Sequence, residues 1–417
     1  MLGSELADRM TQRTEAAPTL LWSAGEASGD RHAARVVRAI RAVRPDVRSV
    51  GLGGPEMAAA GVELLAGMEE VTAVGVTDVL ARWRQLLAVR HRLLTRLNGR
   101  NGGRRPSLFI PVDFPGLNLR LARRARRAGV PVVYFISPQI WAWGAERMAE
   151  IRASVRRMLV LFDFEERMYR EAGVPVTLVG HPLVEQTNEA PDRETARREL
   201  GLSAGELVLV LMPGSRPGEL RRLLQPMLEV ARRLCAVHPG LRVLVRVAPG
   251  LELEPARAAA ASAGVDAQVI GGGDPRPVRA ADLALVAVGT ATLETALLGT
   301  PMLVLYRVSW LTYVIARRLV AIPSIGLVNV VAGRPVVPEF IQERLKLEDV
   351  TQAALQLLTD PEAQKVQLRE LAAVRSKLGG DGAAARAAAA ILAELEATSG
   401  SSGESGAMSG ESMKARR

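Results

Sequence analysis

The apolar residues of this chain fall into short runs separated by stretches of helical spacing. Runs at 20–22, 47–52, 108–112, 132–136, 158–162 and 176–179 are each bounded by glycine, proline or small polar residues. A run of that length reads as a strand buried on both faces of a parallel sheet. The pattern then restarts, with runs at 207–212, 241–247, 268–270, 283–288 and 302–306. Helices are expected between them, over 31–43, 79–97, 117–127, 219–237, 348–358 and 382–397. Two successive strand–helix series describe an α/β protein with two doubly wound domains. The polar stretch 186–193, with Pro191, reads as a linker. The expected organisation is a leader at 1–17, a first domain at 18–187, a second at 188–375, a C-terminal helix at 376–397 and a disordered Ser/Gly-rich tail at 398–417.

Several strand-to-helix turns carry candidate chemistry. In residues 282–301 a strand leads through Gly289 into a helix that Thr290 is expected to cap and that Gly299, before Pro301, ends. Free backbone N–H groups at such a turn favour phosphate. Glu294 reads either as an acceptor for ribose hydroxyls or as a complement to the helix dipole. Gly214 and Ser215 make a second amide-rich turn, and Arg216 adds a planar fork suited to phosphate. In the first domain Ser28 and Gly29 form a third, with Asp30 as a helix cap. Glu26 and Asp30 suit sugar hydroxyls there better than a triphosphate, and the absence of Gly-Lys-Ser/Thr excludes a P-loop. Asp113 follows the strand at 108–112, where a general base would be useful, although an Asp in a loop is more often only a cap or turn residue. Pro115 is expected to delay the following helix. His181 is a candidate acid/base or diphosphate donor, without neighbours that suggest metal. Trp141 and Trp143 share a loop, as a hydrophobic plug or as an apolar wall for a sugar or acyl chain.

Composition narrows the class. Aromatics are only 4%, so the cores are built of Leu, Val and Ala. A lone cysteine, Cys235, excludes an intramolecular disulfide framework. Charged residues precede the first apolar run, so no secretory signal is expected, and no run reaches the roughly 18 residues of a membrane span. The net charge of +10 admits nucleic acid, an anionic membrane or phosphorylated substrates. No zinc-finger spacing or RRM-type motif is present, so nucleic acid is not expected. Residues 79–97 combine leucines at helical spacing with Arg82, Arg84, Arg90, Arg92 and Arg96, and with Trp83. Two readings remain: a helix lying on anionic lipid, or a core-facing helix with a solvated arginine face.

Taken in order, the turns make a specific pattern. Ser-Ala-Gly-Glu-Ala-Ser-Gly-Asp at 23–30, Gly-Leu-Gly-Gly-Pro-Glu-Met at 51–57 and Asp-Phe-Pro-Gly-Leu-Asn at 113–118 come first. Ile-Ser-Pro-Gln-Ile-Trp-Ala-Trp at 136–143, Val-Gly-His-Pro-Leu at 179–183 and Met-Pro-Gly-Ser-Arg at 212–216 follow. Gly-Thr-Ala-Thr-Leu-Glu at 289–294, Tyr-Arg-Val-Ser at 306–309 and Leu-Val-Asn-Val-Val-Ala-Gly-Arg at 327–334 complete the set. Together they resemble the lipid-A-disaccharide synthase family, over about residues 18–375. The resemblance implies a GT-B type fold, two Rossmann-like domains facing a cleft. It also implies an inverting glycosyltransferase that condenses UDP-2,3-diacylglucosamine with 2,3-diacylglucosamine 1-phosphate. Asp113 would be the base, and Ser215, Arg216, Gly289, Thr290, Glu294 and Asn329 would lie on the UDP side. Asn329 and the region to Gln342 also match another part of the family's cleft pattern. Ser28 and Asp30 would lie on the acceptor side, and Trp83, Arg82 and Arg90 at the membrane. No cofactor and no metal is implied. The family is peripheral on the inner face of the cytoplasmic membrane, and a homodimer is consistent with it. Two positions depart: Gly116 stands where the family usually has a second acid, and Val288 where it usually has Ser. A UDP-N-acetylglucosamine 2-epimerase-like isomerase and a non-catalytic UDP-sugar or lipid binder are the competing readings.

Overall fold

The computed structural model describes residues 17–71, 79–100, 104–141, 144–308 and 324–407; at 79–83, 145 and 399–407 it describes the backbone only. The chain divides into two compact units, one up to Gly180 together with the residues from Gly382 onward, the other from His181 to Asp381.

The first unit is built on seven strands: β1 (Thr19–Ala24), β2 (Arg48–Gly53), β3 (Glu63–Gly67), β4 (Leu108–Val112), β5 (Val133–Phe135), β6 (Arg157–Val160) and β7 (Val176–Leu178). Their order is β3-β2-β1-β4-β5-β6-β7, and every pairing is parallel. The helices are α1 (Ala27–Val43), α2 (Pro55–Ala59), α3 (Val79–Leu97), α4 (Pro115–Arg127), α5 (Met148–Ser154) and α6 (Asp163–Glu171). β1 and β4 are buried along their whole length, as strands covered on both faces must be. Val89, Leu93 and Leu97 of α3 join Leu21, Phe109 and Tyr134 in the core on one side of the sheet.

The second unit carries α7 (Leu183–Asn188), α8 (Arg193–Glu199), β8 (Val208–Met212), α9 (Pro217–Val237), β9 (Arg242–Arg246), α10 (Glu254–Ser262), β10 (Ala267–Ile270), α11 (Arg276–Ala280), β11 (Leu283–Ala287), α12 (Thr290–Leu297), β12 (Met302–Tyr306), α13 (Leu327–Ala332), β13 (Glu339–Ile341), α14 (Leu347–Thr359) and α15 (Pro361–Lys377). Its six strands run β10-β9-β8-β11-β12-β13, again parallel. In each sheet the chain steps outward on one side and then reverses on the other. The reversal lies between β1 and β4 in the first unit and between β8 and β11 in the second. Ligands of open α/β sheets bind at the carboxyl edge of such a reversal.

Several expectations are corrected. Pro115 does not delay a helix: it is the first residue of α4, where its missing N–H is not needed. Helix α1 begins at Ala27, four residues early, so Asp30 lies within its first turn and is not its cap. Thr290 is likewise inside α12, and Gly289 is the N-cap. Residues 186–193 are not a linker between units. They fall in the second unit, where α7 runs to Asn188 and the Asp192 carboxylate caps α8 by accepting from the Thr195 amide at 2.8 Å. Strand β3 was not expected: it is a five-residue edge strand whose apolar stretch, Leu64 to Ala66, is only three residues long.

The final helix, α16 (Ala383–Ala407), continues into the segment expected to be disordered. Its alanine-rich first half is a strong helix former, and propagation adds one hydrogen bond per residue fixed. Residues 408–417 lie outside the described residues. Helix α16 belongs to the first unit. Arg386 donates to the Val179 carbonyl at 2.9 Å, and the buried Glu394 carboxylate accepts from Arg156 and from Arg157 Nε, the latter at 2.5 Å. Glu394→Ala leaves both arginines, each partly exposed, to turn to water. Thermal unfolding of this variant is expected to show a loss of about 1–2 kcal/mol.

Candidate active site

In the first unit the chain leaves β4 through two consecutive residues in left-handed conformation, Asp113 (φ 43°) and Phe114 (φ 50°). Such residues cost roughly 1–3 kcal/mol each and persist only when their surroundings hold them. Here the Asp113 carbonyl accepts from the Tyr134 hydroxyl at 2.7 Å and from the Asn118 side-chain amide at 2.7 Å. Asn118 is fully buried. It donates also to the carbonyls of Ser23 (3.0 Å) and Val112 (3.2 Å), and accepts from the Ser23 hydroxyl at 2.6 Å. Asn118 thus ties the ends of β1 and β4 together across the sheet reversal. Gly25 is required beside it, since a Cβ there would lie 2.6 Å from the Phe114 ring.

The Asp113 carboxyl is pushed up to about 6, mainly by burial and then by the Glu26 carboxylate, against a hydrogen bond from the Phe114 amide. A carboxylate of that basicity can take a proton near neutral pH. Gly116 is exposed on α4, and a Cβ there would meet nothing within 4 Å. Packing therefore does not exclude a second acid at this position.

The other two residues expected in this region differ in their bonding. Ser28 is half-buried in the first turn of α1, which has no side-chain cap. Asp30 is buried and accepts three backbone N–H groups, those of Gly54 (2.7 Å), Glu56 (3.1 Å) and Met57 (3.1 Å). It caps α2 from outside and holds the loop after β2.

Further along the same edge, Glu165 of α6 is buried, and burial pushes its carboxyl up to about 8. It accepts from the Leu161 amide at 3.3 Å. Trp141 packs edge-on against Phe164, which stacks on Phe162, so Trp141 forms part of an aromatic cluster; Trp143 lies outside the described residues. On α3 the side chains of Arg82 and Trp83 also lie outside the described residues. Arg84 and Arg90 are exposed, while Arg92 donates to the Leu65 carbonyl at 2.8 Å and pairs with Glu70. The helix therefore has a core-facing stripe and an outward arginine face. Leu87, expected on the apolar face, is 40% exposed.

In the second unit the turns after β8 and β11 are neighbours at the sheet reversal. Gly289, with φ 143°, adopts a backbone that favours glycine, and it leads into α12. The amides of Thr290 and Ala291 have no acceptor among the described residues. The turn after β8 is different. The Glu219 carboxylate accepts from the Ser215 amide (2.9 Å) and the Arg216 amide (3.3 Å), so the chain itself fills that anion position. The Ser215 and Arg216 side chains remain exposed, with the Arg216 guanidinium 3.8 Å from Glu219. Tyr306, at the end of β12, lies close enough to Glu219, Arg216 and Arg222 to feel their charges.

Glu294 lies on α12 with both carboxylate oxygens bonded to Arg246 at 2.7 and 2.9 Å. Asn329 is buried and committed. It donates to the Val337 carbonyl (2.9 Å) and Glu339 (2.7 Å), and accepts from the amides of Val336 (2.7 Å) and Val337 (3.0 Å). All four of its hydrogen-bonding positions are used, so it shapes the edge and has none left for a ligand. Glu339 also accepts from the amides of Ile325 and Gly326 at the start of α13. Gln342 bonds the Val308 backbone in both directions at 2.9 Å. Val288 extends the β11 ladder through its amide to the Leu305 carbonyl at 3.3 Å. His181 is buried, and its Nδ1 accepts from the Leu183 amide at 3.2 Å.

Residues 20–391 match the family described as lipid-A-disaccharide synthetase. The chain belongs to that family. It is 44% identical over 376 residues to the lipid-A-disaccharide synthase of Myxococcus xanthus, covering 90% of this chain and 97% of that protein. It is 35% identical over 373 residues to lipid-A-disaccharide synthase 1 of Legionella pneumophila, covering 89% and 96%. Among solved structures, it is similar to the UDP-GlcNAc 2-epimerase of Neisseria meningitidis bound to UDP-GlcNAc, with a TM-score of 0.55, 11% identity and coverage of 90% and 98%. It is also similar to WaaG, a glycosyltransferase involved in lipopolysaccharide biosynthesis, with a TM-score of 0.52, 15% identity and coverage of 89% and 98%. These likenesses show the fold, the α/β GT-B type.

Sequence reasoning missed the groups that hold this family's motifs in place. Asn118 ends the motif at 113–118 but drew no role. Glu219 stands three residues after Arg216, the spacing at which a helix-start side chain reaches back. Arg246 is the second of two arginines, after Arg242, in the otherwise apolar run at 241–247. Tyr134 gave no signal, since the Asp113 carbonyl it bonds is distant in sequence, and neither the closeness of Glu26 to Asp113 nor the burial of Glu165 could be read locally.

The raised Glu165 carboxyl yields a pH prediction. Its folded value of about 8 exceeds the ordinary carboxylate value of 4.5, so between these the folded state binds more protons than the unfolded. Stability contributed at low pH is lost as pH rises through that window. Glu165→Gln cannot titrate. Its melting temperature is expected to match the parent at pH 5 and to exceed it by several degrees at pH 8.5, a few kcal/mol at most. Parallel pH profiles for the two proteins would contradict it.

Proposed function

We infer that this chain is a glycosyltransferase that forms the lipid A disaccharide, joining UDP-2,3-diacylglucosamine to 2,3-diacylglucosamine 1-phosphate and releasing UDP. Membership of the family supports the reaction. The observation that carries the chemistry is Asp113, a carboxyl raised to about 6 on a strained turn at the sheet reversal. In this reading Asp113 takes the proton of the acceptor hydroxyl. The resulting oxygen attacks the anomeric carbon of the donor as the bond from that carbon to the diphosphate oxygen breaks, with inversion. The leaving diphosphate gathers negative charge, which the open amides at Thr290 and Ala291 and the exposed Arg216 fork are suited to receive. Gly289 gives that turn its shape, Ser215 offers its hydroxyl, and Glu294 accepts from the ribose. Asn329 contributes by holding the segment before β13. Ser28 lies on the acceptor side, and Asp30 orders the loop beside it.

Among the described residues no helix is long and apolar enough to cross a membrane. Both proposed substrates carry acyl chains, so we place the protein at the inner face of the cytoplasmic membrane. The outward Arg84 and Arg90 of α3, with Arg82 and Trp83, would meet anionic lipid. A homodimer belongs to the same proposal. The epimerase reading has only likeness of fold behind it, at 11% identity for the Neisseria enzyme.

Incubating the protein with both acylated glucosamines and following UDP release tests the function. Asp113→Asn is expected to lower turnover by about a thousandfold or more while UDP affinity stays within about twofold. The parent's kcat/KM should fall below pH 6 as Asp113 gains its proton, with an apparent midpoint near 6. Turnover retained in the variant removes Asp113 from the base role.

A further inference from the structure

Arg246 ends β9 and is 8% exposed. Its guanidinium joins three elements at the carboxyl edge of the second sheet. Nη1 donates to Glu294 Oε2 at 2.9 Å, and Nη2 donates both to Glu294 Oε1 at 2.7 Å and to the Gly273 carbonyl, after β10, at 2.8 Å. Its Nε is buried without an acceptor among the described residues. A buried pair with one donor unmatched is a weak source of stability, because desolvation offsets most of the attraction. A bidentate fork does, however, fix orientation.

That orientation has a chemical consequence. A carboxylate offers about four acceptor positions, two on each oxygen. Arg246 takes one on each oxygen, leaving one on each. The fork fills the inner position of each oxygen, so the two outer positions point to opposite sides, and one of them can accept a single hydroxyl along a fixed direction. Without the fork, the Glu294 side chain would be free to change rotamer on α12, and ligand binding would have to restrict it.

We propose that Arg246 is a positioning residue that locks Glu294 for the ribose 2′-hydroxyl of a uridine diphosphate, and so sets the preference for ribonucleotide over deoxyribonucleotide. This rests on the reading that Glu294 faces the ribose. Arg246 does not touch the reacting atoms.

The test is calorimetric titration with UDP and 2′-deoxy-UDP of the parent protein and of Arg246→Met, Arg246→Lys and Glu294→Gln. The parent should prefer UDP by about tenfold or more. Arg246→Met should lose most of that preference by weakening UDP about tenfold, with 2′-deoxy-UDP affinity nearly unchanged. A lysine supplies the charge but not the fork, so Arg246→Lys should retain an intermediate preference and serves if the Met variant unfolds. Loss of preference in Glu294→Gln with full preference in both Arg246 variants overturns the inference alone. Full preference in Glu294→Gln, or no UDP binding by the parent, overturns the reading of Glu294 and the inference with it.

Discussion

The amides that begin a helix after a parallel strand must find an acceptor, and the site follows from which of them find one inside the chain. At several helix starts the protein supplies its own carboxylate. Asp30 serves the start of α2, Glu219 the turn before α9, and Glu339 the start of α13. The start of α12 has no such partner among the described residues, and it lies at the sheet reversal. Where the chain supplies no carboxylate, as at the start of α12, the amides stay open to an anion. Arg216 adds charge beside it, and the Arg246–Glu294 pair adds shape.

The first unit meets a different demand, which is to aim one carboxylate. Two left-handed residues in succession at the end of β4 are unfavourable, and Asn118, Tyr134 and Ser23 hold them with hydrogen bonds to backbone and to each other. The strain and the raised basicity have related origins. Burial that makes room for these bonds also removes water from Asp113, and Glu26 adds a like charge. The reversal of strand order places β1 and β4 side by side, so that Ser23 and Asn118 can meet although 95 residues separate them.

Much of the fold was legible because buried parallel strands leave unbroken apolar runs, as β4 and β12 do, whose bounds match the sequence reading. Edge strand β3 was hidden because its apolar stretch is only three residues long, with Leu64 exposed and Ala66 buried. Helix starts were misjudged where capping was assumed to be local. Asp30 reaches across to α2, and Pro115 opens a helix it was expected to hold back. In the site, residues carried by motifs were visible: Asp113, Arg216, Gly289 and Glu294. Their supports were not, because Asn118, Tyr134 and Arg246 act through partners that only folding brings near. Asn329 shows the converse, a motif residue whose amide is spent on its own backbone.

The structure of the protein with UDP bound tests this account most directly. The diphosphate should lie within hydrogen-bond distance of the Thr290 and Ala291 amides, with Glu219 still bonded to Ser215 and Arg216. A diphosphate seated on the turn after β8 with Glu219 displaced, or bound away from this edge of the second sheet, would contradict it.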